Sequence, residues 1–183
     1  AAAELCGERP DPQWSAVAAG LRIPHFADGT TREHAGYDGE MIKQADANLL
    51  GYPLGIVTGR EAQLRDLEYY ERRIDPRNGP AMSYSVFAIQ YARLGMAEKA
   101  CEMFRRSYLP NLRPPFGVFA ETATSGNPYF MTGAGGMLQA VLFGFGGLEI
   151  TADGLVQRPS VLPPQWKNLR IKINGKIYQA TNQ

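Results

Sequence analysis

The sequence predicts a mainly α-helical protein, built from successive helix pairs and closed by a short β-rich tail. Three observations predict it. Apolar residues recur at helical spacing over 60–74, 83–94 and 97–108. Residues 134–145 are apolar nearly all round. After residue 147 the pattern changes to short alternating runs around Asp153-Gly154 and Asn174-Gly175, two hairpin turns of which the second is the stronger. The expected division is a helical part over 1–147 and a β-rich segment over 148–183.

A chain of 183 residues can form one domain, or a large domain with a small one attached, and can bury roughly two-thirds of its unfolded surface. Nineteen basic against eighteen acidic residues give a net charge of +1, and the basic ones are scattered rather than gathered into a stripe. That argues against nucleic acid as a partner. No run of about 18 apolar residues is present, so no membrane span is expected. Cys6 and Cys101 belong to no CxxC pattern and read as two buried or partly buried thiols, with a disulfide as the other option.

The opening AAAELCGER reads as the last turns of a helix ending at Gly7, and this suggests that residues belonging upstream are missing. Asp11-Pro12 then starts a short helix over 13–19 closed by Gly20. Residues 24–40 have the composition and length of a functional loop, with His25 and His34 nine residues apart. No Cys or acid completes a metal-ligand spacing with them, and no metal is expected. Met41, Ala45 and Leu49 recur every four residues, which predicts a helix with a buried stripe that Gly51 and Pro53 terminate. Its polar residues Lys43, Gln44 and Asp46 read either as a solvated face or as a cluster aimed into a ligand site.

Over 60–74, Leu64, Leu67, Tyr70 and Ile74 predict an inner face, with Glu61, Arg65, Asp66, Glu68 and Arg72 outside. A helical hairpin follows, joined at Gly95: Phe87, Tyr91 and Leu94 share a face of its first helix, and Ala97, Ala100, Cys101, Phe104 and Tyr108 one of its second.

The stretch 113–147 sets one carboxylate, Glu121, among Phe116, Phe119, Tyr129 and Phe130, ahead of a helix carrying Met137, Leu138, Val141, Leu142 and Phe145. Those five predict a helix enclosed by neighbours. A lone acid among aromatic rings fits a sugar pocket, because ring faces stack on pyranoses and a carboxylate there can take a proton from water. It fits a helix cap or a structural salt bridge as well. Neither glycine cluster, Gly133/Gly135/Gly136 nor Gly144/Gly146/Gly147, has dinucleotide-binding spacing or a strand before it, so both read as close packing and a helix end, and no cofactor is expected. No Gly-x-Ser-x-Gly elbow occurs.

Three segments together carry a resemblance. These are Lys43-Gln44-Ala45-Asp46; Gly79-Pro80-Ala81-Met82-Ser83-Tyr84-Ser85; and Phe119-Ala120-Glu121, with Phe130-Met131-Thr132-Gly133-Ala134-Gly135-Gly136-Met137-Leu138-Gln139 after it. In them the chain resembles the C-terminal part of glycoside hydrolase family 65 proteins. The family comprises maltose, trehalose and kojibiose phosphorylases, acid trehalases, and hydrolases of kojibiose or of the glucosyl-galactosyl unit of collagen hydroxylysine. The resemblance covers about residues 13–147 and continues weakly into the tail. It implies part of an (α/α)6 barrel over 1–147 holding a sugar in its cavity, followed by the small β segment. It also implies an inverting mechanism, in which a glutamic acid protonates the leaving oxygen while water or phosphate attacks the opposite face. Lys43 and Gln44 match the pair lining the glucose subsite. Glu121 matches the general base of the hydrolase branch, which must stand about 6.5–9.5 Å from the acid to leave room for a water.

Two departures shape the expectation. Phosphorylases carry a His and a Ser-rich phosphate-binding segment where this chain has Gly79-Pro80-Ala81-Met82-Ser83, so hydrolysis is expected over phosphorolysis. The family's acid lies in an Asp-Glu-Tyr-His-like motif that does not occur in this sequence. The chain is therefore expected to act on a disaccharide or α-glucoside such as trehalose or kojibiose only with an N-terminal half of the same enzyme, and to be nearly inactive alone. The alternatives are a phosphorylase of the same family and a non-catalytic carbohydrate-binding or assembly module.

Overall fold

The computed structural model describes residues 2–44, 46–127 and 129–182. Helix α1 (Ala2–Leu5) and helix α2 (Pro12–Gly20) lead in, the second capped by the Asp11 side chain accepting from the Gln13 N–H. After the loop comes a 3₁₀ turn at Ala47–Leu50, then α3 (Arg60–Glu71), α4 (Ala81–Arg93) and α5 (Ala97–Arg106). A two-residue ladder, β1 (Leu112–Arg113) with β2 (Val118–Phe119), precedes α6 (Met131–Gln139), which runs on as a π-helical segment at Ala140–Phe145. Two hairpins close the chain: β3 (Leu148–Thr151) with β4 (Gly154–Gln157), and β5 (Asn168–Ile173) with β6 (Lys176–Thr181). The second turn is the expected one, whereas in the first Thr151 pairs with Gly154, so that the turn residues are Ala152 and Asp153 rather than Asp153 and Gly154. Asn174 (φ 48°) and Gly175 (φ 82°) both take the left-handed conformation that a two-residue hairpin turn requires. Among the described residues no helix is long and apolar enough to cross a membrane.

The enclosed helix is α4, not the 134–145 stretch. Tyr84, Phe87, Ala88, Ile89, Tyr91 and Ala92 are buried on several sides of α4, which α5 flanks on one side and α6 with its π-helical extension on the other. Small residues let the backbones approach. A Cβ on Gly136 would stand 3.1 Å from Ser85 Oγ, and one on Gly144 3.1 Å from the Ile89 Cα. These are the packing glycines expected. In the following helix only Phe145 of the five apolar positions is fully buried, while Leu138 is 57% exposed. Its apolar residues cover all sides in sequence, but packed neighbours cover only part of its surface, α4 along its length and α5 and the tail at Phe145.

The predicted helix around Lys43 is not there. Ile42 forms a parallel bridge with Ile74, donating to Arg73 O (2.8 Å) and accepting from Asp75 N (3.1 Å), so its backbone is committed before any helix can start. Met41 is 57% exposed rather than part of a buried stripe. Ala45, the middle of that stripe, lies outside the described residues. Only Ala47–Leu50 coils, as 3₁₀.

Asp66 corrects the outer face assigned to α3. It is buried and accepts from both Thr31 N (2.8 Å) and Thr31 Oγ1 (2.7 Å), while Tyr70 Oη donates to Thr31 O (2.6 Å). The 24–40 loop is thus pinned onto α3 by a buried polar lock that periodicity does not reveal. Asp66→Ala leaves two buried donors unpaired and is expected to cost about 3 kcal/mol in urea unfolding, with Asp66→Asn costing less because one acceptor survives. Both cysteines are free, Cys101 buried and Cys6 exposed, so burial of Cys6 was wrongly expected: it follows α1, in which no residue is buried.

The β-rich tail docks on the helices. Trp166 meets Phe145 (5.4 Å between ring centroids) and Phe104 (5.9 Å) edge-on, and Leu162 is buried in the same cluster.

Candidate functional site

Lys43 and Glu121, 78 residues apart, meet: Lys43 Nζ donates to Glu121 Oε1 at 3.3 Å. Two backbone anchors bring them together. The Ile42–Ile74 bridge fixes Lys43 beside the end of α3. From there the chain turns at Asp75, whose side chain accepts from Arg77 N and Asn78 N and is thereby held below the usual carboxylate range. Gly79 closes this turn, since a Cβ there would sit 2.5 Å from Asp75 O. The segment Gly79-Pro80-Ala81-Met82-Ser83 then enters α4, and the Ala81 N–H donates to Glu121 O (3.2 Å).

Glu121 is in a salt bridge, as one of its two readings held. It is not sealed off, however: its side chain is 29% exposed and that of Lys43 61%. An ion pair so exposed adds little to stability. It does set two charges side by side at the surface, where the carboxylate can reach a ligand.

Lys43 and Gln44 line a cavity of about 370 Å³ with Glu33, His34, Tyr37 and Asp46. Lysine and glutamine side chains supply donors, and the carboxylates and the glutamine amide supply acceptors. Such an alternation suits a neutral polyhydroxylated ligand. Of the aromatic residues near Glu121, Phe116 is 90% exposed and Tyr129 is also exposed, while Phe119 is buried against Gly133. Phe119 is therefore a packing residue, not a free stacking face.

Glu33 was hidden in the loop composition. One of its carboxylate oxygens accepts from Ala47 N (3.1 Å), opening the 3₁₀ turn, and the other is buried without a partner. Burial is the main cause, and the nearby Asp46 charge a smaller one, that raise its pKa to about 7. A carboxyl raised in the folded state binds its proton more tightly there than in the unfolded chain. Its stabilising contribution is thus complete below the ordinary value of 4.5 and is lost as pH rises through about 7. The thermal midpoint of the chain is expected to fall between pH 4.5 and 7, and Glu33→Gln to flatten that slope. An equally steep slope in the variant would refute it.

Asn111 and Arg113 also escaped the sequence reading. Asn111 is buried and donates through Nδ2 to both Ala120 O and Glu121 O, each at 3.0 Å. Arg113 donates to five main-chain carbonyls, three of them in the segment after Glu121. An Asn after Pro110 and an Arg before Pro114 carry no periodic or motif signal. Among the described residues no three His, Cys, Asp or Glu side chains are grouped to hold a metal ion.

No protein-family model matches the chain. Known proteins do. Kojibiose hydrolase of Mucilaginibacter mallensis is 49% identical over 170 residues, 93% of this chain and 25% of that protein. Protein-glucosylgalactosylhydroxylysine glucosidase of Danio rerio is 39% identical over 92% of this chain and 26% of that protein. The periplasmic/secreted acid trehalase of Candida glabrata is 36% identical over 80% of this chain and 13% of that protein. Among solved structures, a putative kojibiose phosphorylase from the human microbiome superposes with a TM-score of 0.52 at 22% identity, over 76% of this chain and 20% of that one, a likeness of fold. These relatives are glycosidases in class. More particularly, the chain is a member of glycoside hydrolase family 65 that matches the C-terminal part of such proteins and spans about a quarter of the length of its first relatives.

Proposed function

We propose that this chain is the base-bearing C-terminal portion of an inverting glycosidase for α-linked glucosides such as kojibiose or trehalose. In this reading residues 1–147 form part of an (α/α)6 barrel and residues 148–183 its β-rich appendage. Glu121 deprotonates the attacking water, and Lys43 and Gln44 hold glucose hydroxyls. The general acid comes from an N-terminal portion of the barrel that this sequence does not contain.

The convergence of Lys43 on Glu121 across 78 residues carries the reading, because it joins the two predicted site segments. Exposed apolar side chains on the outer side of the helices, Met131 and Leu138 among them, support a covering by further barrel helices. Hydrolysis rather than phosphorolysis is favoured by the histidine-free segment Gly79-Pro80-Ala81-Met82-Ser83.

The test joins this chain to the N-terminal portion of the Mucilaginibacter mallensis kojibiose hydrolase, in place of that enzyme's matching quarter. Hydrolysis of kojibiose and trehalose is followed by NMR. From trehalose, inversion is expected to give one β-glucose from the attacked ring and one α-glucose as the leaving group, with no glucose 1-phosphate when phosphate is added. Release of α-glucose alone from trehalose would exclude inversion, and glucose 1-phosphate would turn the reading into a phosphorylase. This chain alone is expected to release nothing measurable.

A further inference from the structure

Glu121 stands on a segment without regular secondary structure, so something other than a helix or strand must hold its backbone. Residues 120–125 are bent and unpaired as a ladder, yet their carbonyls converge on two side chains. Asn111 Nδ2 binds Ala120 O and Glu121 O. Arg113 Nη2 binds Thr122 O (3.0 Å), Ala123 O (2.8 Å) and Ser125 O (3.1 Å), while its Nη1 is tied to Pro110 O (2.8 Å) and Leu112 O (3.3 Å). The guanidinium thus rivets the strand it sits on to the segment that follows the acid. Its own position is set by the β1–β2 ladder, in which Arg113 pairs with Val118. Four N–H groups of a planar fork shared among five carbonyls are more than a surface arginine needs for solubility, and a lysine cannot reproduce the fork.

We infer that Arg113, together with Asn111, is a positioning residue for the Glu121 carboxylate, holding residues 120–125 so that the acid meets Lys43. The role rests on the reading of Glu121 as a base. Arg113 and Asn111 touch no reacting atom; they act through the main chain of Glu121 and its neighbours. A base displaced by about 1 Å loses on the order of 100-fold in rate, whereas substrate held by Lys43 and Gln44 binds as before.

The test has two arms. In this chain alone, amide hydrogen exchange is measured for Arg113→Lys and Asn111→Ser. Exchange is expected to quicken by at least about tenfold at Ser125 and at Ala81, whose N–H donates to Glu121 O, while the buried amide of Ile89 in α4 keeps its protection. In the joined enzyme described above, Arg113→Lys is expected to lower kcat by about 100-fold at unchanged KM. Added azide should restore turnover as β-glucosyl azide: the anion attacks the anomeric carbon without a base, and the departing oxygen still takes its proton from the acid. A merely structural lesion would quicken exchange throughout α4 and would not respond to azide.

Unchanged exchange at Ala81 and Ser125 would overturn the clamp. So would an unchanged kcat in Arg113→Lys while Glu121→Gln abolishes turnover. Full turnover in Glu121→Gln would instead remove the base reading, and the catalytic part of this role with it.

Discussion

Glu121→Gln, in the joined enzyme, is expected to lower kcat for kojibiose or trehalose by about 10²–10⁴-fold and to leave KM within about threefold. Glutamine has the size of glutamate, and its amide oxygen can still accept from Lys43 Nζ, so the contact at 3.3 Å is preserved in form. What the amide cannot do is take a proton from water. The loss therefore falls on the chemical step and spares binding. Lys43→Met should show the opposite balance, a raised KM with a smaller effect on kcat, because the ammonium offers hydrogen bonds to hydroxyls and not a proton acceptor. A Glu121→Gln enzyme with an unchanged rate would dismiss the base assignment outright.

Phe145→Ala is expected to cost about 3–5 kcal/mol in unfolding free energy. Phe145 is fully buried and meets Phe104 edge-on at 5.2 Å between centroids and Trp166 at 5.4 Å. It sits at the end of the π-helical segment, where α5, the last helical turn and the tail converge. Truncation opens a cavity that three separate elements would have to close together, which puts the cost at the upper end of the range. For a chain of this size the melting temperature should fall by roughly 2–4 °C per kcal/mol. Calorimetry, with Trp166 fluorescence to report the tail, would check it: a drop of less than a few degrees would mean that the tail is not braced through this ring.

Elements whose making is local were legible in the sequence. The 97–108 helix shows its inner residues by spacing, and α5 buries Ala100, Cys101 and Phe104 as read. Asn174-Gly175 could only be a tight turn, because both positions need positive φ. Elements decided by distant partners were not legible. The repeat of Met41, Ala45 and Leu49 looks helical, but the hydrogen bonds of Ile42 go to Arg73 and Asp75, and no window around residue 42 contains that information. Asp66 failed for the same reason, since its partner Thr31 lies 35 residues away.

The candidate site divides along the same line. Glu121 stood out as a lone acid among aromatic residues and Lys43 and Gln44 by resemblance, and Lys43 and Glu121 are in contact in the fold. Asn111, Arg113 and Glu33 were missed. Their importance lies in carbonyls and an amide that they bind, and main-chain groups are the same in every sequence.

The first amide of α4 has a consequence for heating. Ala81 opens the helix that contributes more residues to the core than any other, and its N–H is tied to the carbonyl of Glu121. Helix ends fray before helix centres. Warming would therefore release Glu121 from this tether while Phe87 and Tyr91, further along α4, stay packed. In the joined enzyme, turnover is expected to fade some degrees below the calorimetric transition, while circular dichroism still reports a folded protein. The acid is moored to the most buried helix among the described residues, but at its end rather than its centre.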